Sequence, residues 1–267
     1  LHISLKELIL KREKRFVGLH LYVSPLQKKT YLAIKTHKKN MRGIMINSKS
    51  IIAVVLLLAI NVASQNQINI LESGVENWNK WREANPSLML NLRGVQLEGT
   101  DLHGVDLKGE TYLEGANLKG ANLTGAHLEG TFLFNADLKR ANLAKADLRA
   151  TALNGTHLEG ANLEGAVLRG ASLQGVHLEG ADLEGADLRG AVFGGKANLQ
   201  GANLKGAHLE GADFTGIRQE PNIGVLFRGT HLEGAHLEGA HLEGADLRGG
   251  VLEGAYLEGA DLTGARR

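Results

Sequence analysis

From Leu92 onward, hydrophobic and polar positions recur in blocks of five: a small apolar residue, a polar one, leucine, a second polar one, glycine. "HLEGAHLEGAHLEGADLRGG" at 231–250 shows it plainly. Neither common secondary structure accommodates this period. On an α-helix a five-residue step turns roughly 140° beyond a full revolution, which would spread the leucines around the whole surface. On a flat strand an odd period sends successive leucines to opposite faces. A backbone that bends at every glycine resolves the conflict, because each leucine then points to one axis from a different side. The alanine two places earlier points inward too, and the residues flanking the leucine point out. Glycine tolerates the backbone angles that such a corner needs.

A longer period sets the number of sides. Arg149, Arg169 and Arg189 lie twenty residues apart, as do Asn122, Asn142 and Asn162, and His157 and His177. Twenty residues are four blocks, so the predicted coil is four-sided, with Leu123, Leu143, Leu163 and Leu183 stacked in its core. The register holds over Leu92–Leu107, Leu113–Phe193, Leu199–Phe214 and Phe227–Leu262. "KGETY" and "FGGKAN" each carry one extra residue and read as corner bulges. "TGIRQEPNIGVL", with Pro221, reads as a loop pushed out of the tube over 215–226.

"ANLKG", "ANLTG", "ADLRG" and "ADLEG" match the motif A(D/N)LXX, and over about 92–265 the chain resembles the pentapeptide-repeat family. The resemblance implies a right-handed quadrilateral β-helix, an all-β solenoid of about eight coils spaced ~4.8 Å apart. It also implies that "WNKWREANP" belongs to an N-terminal cap, and that the final coil could seed an end-to-end homodimer through its uncovered edge.

Ahead of the repeats the pattern changes. Leu71, Val75, Trp78 and Trp81 fall at helical spacing and Pro86 ends them, which predicts one helix near 71–84 within a cap spanning 65–91. Its tryptophans read as packing groups, since a solenoid needs its first coil covered. Residues 41–64 carry Arg42 and Lys49, an apolar run from Ile51 to Ile60, and Val62-Ala63-Ser64 before Gln65. That order predicts a signal peptide cleaved between Ser64 and Gln65, hence an exported protein with no membrane anchor afterwards. The apolar run of about 10–13 residues falls short of the roughly 20 that span a bilayer. Residues 1–40, basic and beginning at Leu1, are expected to be an upstream extension outside the mature protein.

The net charge of +1 hides a division. Residues 1–64 hold 12 Lys+Arg against 2 Asp+Glu, and the remainder 18 against 27, so the repeats are acidic, at net −9. Cysteine is absent, which excludes disulfides, thiolate metal sites and a cysteine nucleophile.

No catalytic, cofactor or metal site is expected. Asp and Glu are evenly spaced on an outer surface, whereas acid–base catalysis needs a paired, partly buried setting. His231, His236 and His241 should point a quarter-turn apart and cannot share an ion. His157 and His177 should stack, but two imidazoles with no carboxylate nearby make a poor zinc site. The outward columns read as solvated ladders: the Asn122 series with Glu164 and Glu184, the arginine series with Glu129 and Glu210, and Lys119, Lys139, Glu159 and Glu179. One breaks the polar rule, with Tyr112, Phe132, Ala152 and Val192 beside Phe134. That strip is either a contact with the cap, through Trp78, Trp81 or Leu88, or a docking surface. The expected function is a non-catalytic exported scaffold for an unidentified protein partner, with no nucleic acid bound. The family resemblance supplies an alternative, a DNA mimic that binds gyrase and gives quinolone tolerance. Export, and a positive stripe at Arg149, Arg169 and Arg189, oppose it.

Overall fold

The computed structural model describes residues 64–194, 196–215, 225 and 227–267. The expected extension at 1–40, the signal segment up to residue 63 and nearly all of the 215–226 excursion lie outside them.

Two helical segments come first. Residues 64–72 form α1, and Val75–Ala84 forms α2. The single helix expected over 71–84 is therefore corrected: Gly74, at φ 110° and ψ 155°, breaks the path, and Leu71 belongs to α1. That conformation lies outside the helical basin, and glycine reaches it without steric cost.

The repeats follow. The short strand β1, Leu90–Asn91, pairs in parallel with β2, Thr111–Tyr112. From there single parallel bridges connect each block to one a full coil later. Four columns result, one containing Asp101, Asn122, Asn142, Asn162, Asp182 and Asn203. The spacing is 20 residues in Asn122↔Asn142, 21 in Asp106↔His127 and His177↔Asn198, and 28 in Asn203↔His231. The single extra residues and the excursion thus alter chain length without altering which residues face each other.

Blocks between the first and last coils satisfy their backbone in one shared way. Leu123 N–H donates to Asn142 C=O (2.6 Å), Asn142 N–H returns to Ala121 C=O (2.9 Å), and Gly125 N–H reaches Ala144 C=O (2.9 Å). The corner closes when Ala126 N–H donates to Leu123 C=O (3.0 Å). Motif Asp and Asn side chains accept a further N–H two residues on, as Asp137 does from Lys139 (3.1 Å) and Asn162 from Glu164 (2.9 Å). That Asx bond explains why the motif asks for Asp or Asn there.

Inside, Leu123, Leu143, Leu163 and Leu183 are buried with the alanines two places before them. Phe193, Phe214 and Phe227 take leucine positions, with ring centroids 4.5 Å apart between the first two and 4.9 Å between the last two. Val225, two residues before Phe227, is buried in an alanine position, so the motif resumes before the expected end of the excursion at 226. Toward the C-terminal end, Leu252, Leu257 and Leu262 are only partly buried.

The first coil meets the helices through side chains that stand in for a preceding coil. Asn79 of α2 donates from Nδ2 to Gly104 C=O (2.9 Å) and accepts Asp106 N–H at Oδ1 (2.9 Å). Gln67 of α1 does the same on another side, donating to Met89 C=O (3.2 Å) and accepting Asn91 N–H (2.9 Å). Trp78 Nε1 donates to Asp106 C=O (2.7 Å), and Arg82 Nη2 to Lys108 C=O (3.1 Å). These side chains quiet an edge that would otherwise expose unpaired backbone groups.

Gly125 shows the ordinary corner, at φ 63°. One coil departs: Asn135, Arg140, Lys145 and Ala150 occupy four successive corners at φ between 53° and 58°. A side chain in the left-handed region costs ~1–2 kcal/mol.

Three outcomes are expected from purified protein. Asn79→Ala strips two backbone groups of their partner and should cost about 1–3 kcal/mol in denaturant unfolding, whereas Asn77→Ala, on the exposed side of α2, should cost far less. Ala150→Gly should stabilise by about 0.5–1 kcal/mol, the left-handed penalty less the freedom that glycine adds to the unfolded chain. The third concerns acid. Arg248 bonds Asp246 through Nε (2.8 Å) and Nη2 (2.6 Å), and Arg228 Nε lies 3.4 Å away. Bonding to Arg248 outweighs burial and lowers Asp246 from 3.8 to about 2. The carboxylate form is the favoured one in the fold, so its contribution is complete above pH 3.8 and lost as pH falls through about 2. The melting-temperature gap between wild type and Asp246→Asn should close over that window, and a constant gap would refute the assignment.

Candidate interaction faces

The corner geometry turns the two residues flanking each leucine outward, so the outer surface is a set of axial columns one coil apart. The predicted aromatic column is present as Tyr112, Phe132, Ala152, Ser172 and Val192, joined by successive bridges. Tyr112 stacks on Phe132 at 4.9 Å with planes 10° apart, and Phe134 lies 6.1 Å from Phe132. The Arg93 guanidinium sits 4.2 Å over the Tyr112 ring and pairs with Glu114 at 3.0 Å. Tyr112, Phe132, Phe134, Ala152 and Val192 are all half-buried. Beneath the rings, Thr111 and Thr131 replace the usual alanine; the Thr131 hydroxyl donates to Leu128 C=O (2.8 Å).

The cap tryptophans form a separate set. Trp78 and Trp81 rings are 5.1 Å apart, Trp78 is anchored at Asp106, and Leu88 is 45% exposed. Among the described residues, ring contacts join the strip to itself and the tryptophans to each other.

The arginine column differs from its expected character. Arg149 bonds Asp147 (2.5 Å) and reaches Glu129 (3.3 Å), and Arg189 bonds Asp187 (2.5 Å), which also has Arg169 at 3.9 Å. The Arg189 bond holds Asp187 below the usual carboxylate range. The stripe is therefore interleaved with carboxylates. On the asparagine column, axial amide bonds form at Asn–Asp steps: Asn122 to Asp101 (2.9 Å) and Asn203 to Asp182 (2.9 Å). Ser64 and Gln65, the expected cleavage pair, lie at the start of α1 as described.

For histidine the geometry confirms one expectation and removes the premise of another. His231, His236 and His241 bridge to Asn203, His208 and Asp213 in three different columns, and His157 stacks on His177 at 4.7 Å. A second stack, His208 on His236 at 4.9 Å, escapes a search at twenty-residue spacing because its members are 28 apart. Carboxylates stand beside both. Glu159 Oε1 is 3.1 Å from His157 Nδ1, and Glu210 Oε1 is 3.2 Å from His208 Nδ1. The signal was present in the sequence as "HLEG", where His and Glu flank an inward leucine and so share the outer face.

Comparison with known proteins places the repeats in a sequence family. A profile of pentapeptide repeats matches in eight copies, over residues 110–140, 141–180, 152–190, 196–217 and 226–264. HetL, a pentapeptide-repeat protein involved in heterocyst differentiation regulation in the cyanobacterium Nostoc, is 32% identical over 70% of this chain and 92% of its own, with a TM-score of 0.25. A pentapeptide-repeat protein of the Arabidopsis thaliana thylakoid lumen is 31% identical over 49% of this chain and 74% of its own, at a TM-score of 0.16. QnrB1, a plasmid-mediated fluoroquinolone resistance protein, is 20% identical over 65% of this chain and 82% of its own, at a TM-score of 0.41. No curated protein sequence matches. Repeat sequence and coil-to-coil bridging together make this chain a member of the pentapeptide-repeat family, whose solved members are right-handed quadrilateral β-helices.

Proposed function

We propose that the protein is a non-catalytic scaffold, exported after cleavage between Ser64 and Gln65, that binds a protein partner on the face bearing Tyr112, Phe132 and Phe134. The observation that carries this reading is the stacked aromatic strip on the outer surface of the tube. Aromatic side chains give large contact area at low entropic cost and are enriched at interfaces. The strip has an apolar continuation at Ala152 and Val192 and a cationic end at Arg93, the composition of a contact centre with a polar rim. The signal-like order of residues 41–64 supports export.

The regular outward spacing of Asp and Glu supports a role without catalysis. A DNA-mimic role is less well supported, because the interleaved Arg149, Arg169 and Arg189 break up any phosphate-like run on that face. Likeness to QnrB1 is likeness of fold.

Two measurements test the reading. N-terminal sequencing of the exported protein should find Gln65 first, and a cytoplasmic protein retaining residues 1–64 would overturn export. Phe132→Ser with Phe134→Ser should melt as wild type does while losing a partner cross-linked to the wild-type face. A stability loss of about 1–3 kcal/mol with the partner retained would make the rings structural packing instead.

A further inference from the structure

The second histidine stack brings together more than two rings. His208 and His236 lie on adjacent coils with centroids 4.9 Å apart and planes 15° apart. Each has a glutamate two residues on: Glu210 Oε1 is 3.2 Å from His208 Nδ1, and Glu238 Oε1 is 3.1 Å from His236 Nδ1. One ligand atom each from His208, Glu210 and His236 lies within 4.8 Å of the others. Tyr256 stacks on the far side of His236 at 4.5 Å and limits the ring's freedom there.

We propose that His208, Glu210 and His236 form a binding site for a divalent transition-metal ion of the zinc class. Two imidazoles and a carboxylate are a common three-residue zinc set, which leaves a fourth position for water. Glu238 stands beside the group, with Oε1 3.1 Å from His236 Nδ1. The nitrogen content favours zinc, nickel or copper over magnesium or calcium, which prefer oxygen throughout. Donors at metal–ligand distances of about 2.0–2.1 Å must converge from their present spacing. Both histidine side chains are outward, at 45% and 33% exposure, where an ion can reach them from solvent.

The comparable group at His157, Glu159 and His177 is a weaker candidate. Lys139 Nζ is 3.2 Å from Glu159 Oε1, so an ammonium already occupies the cation's place. Glu179, the fourth group there, is bonded by Asn198 at 2.5 Å. Arg189 is within electrostatic reach of Glu210, but its guanidinium is bonded to Asp187 at 2.5 Å. An ion at His208 and His236 would also join two coils separated by 28 residues of chain, and so would report on the pairing across the excursion.

The test uses the full chain without a histidine tag, titrated with zinc alone by calorimetry and followed by thermal melting. One zinc per chain should bind, the melting temperature should rise with zinc and return with EDTA, and cobalt should give a visible absorption band. His208→Ala with His236→Ala should weaken zinc binding at least about tenfold and abolish the melting shift. His157→Ala with His177→Ala should leave both intact. If the first double variant does not fold, Glu210→Gln reads the same site and should also weaken binding about tenfold. The proposal is overturned if wild type shows neither heat nor melting shift with zinc, if the His208/His236 or Glu210 variant binds like wild type, or if only the His157/His177 variant loses binding.

Discussion

Axial pairing of backbone groups one coil apart is the constraint on which every other feature rests. Leucine donates forward to the next coil and the residue before it donates back to the previous one, so the path of each block is dictated by its neighbours along the tube. Buried leucine and alanine fill the axis and make misalignment costly, because a slipped block would turn its apolar residues to water. The outer chemistry is what remains after those demands are met. Any residue placed beside a leucine is repeated, or contrasted, by its counterpart on the next coil at close range.

That same pairing makes the ends of the solenoid its vulnerable points. At the N-terminal end the solution is chemical mimicry as well as apolar cover: the primary amides of Gln67 and Asn79 each present one donor and one acceptor, as a backbone segment would. Trp78 and Arg82 add bonds to adjacent carbonyls. An exposed edge, which would template association with other chains, is thereby occupied within the chain itself.

Much of this was legible in the sequence because the motif has a period that only one kind of backbone satisfies. The inward set at Leu123, Leu143, Leu163 and Leu183 and the aromatic column from Tyr112 to Val192 follow from counting by twenty. The failures have physical causes. Gly74 sits inside a helical hydrophobic pattern, and periodicity alone does not reveal that its φ is positive. Arg149, Arg169 and Arg189 look cationic as letters, yet each reaches an aspartate of the adjoining column on the same face. Glu210 reads as part of the arginine column, although outward projection on both sides of Leu209 brings it within bonding range of His208. Counting by twenty stops at the excursion, so it sets His236 beside His231 and His241 and not against His208.

The excursion has a consequence of its own. Asn203↔His231, His208↔His236 and Asp213↔His241 all keep their columns although the sequence between them has lengthened. Corners are therefore phase-neutral: a lineage can add or remove residues there without refolding the tube or rewriting its faces. Substitutions along a column and insertions at a corner become independent routes of change. The first alters what a face displays, and the second adds a new projection beside it while the old display stays in place. A solenoid of this kind can acquire a recognition element in one genetic event, with no compensating change elsewhere in the chain.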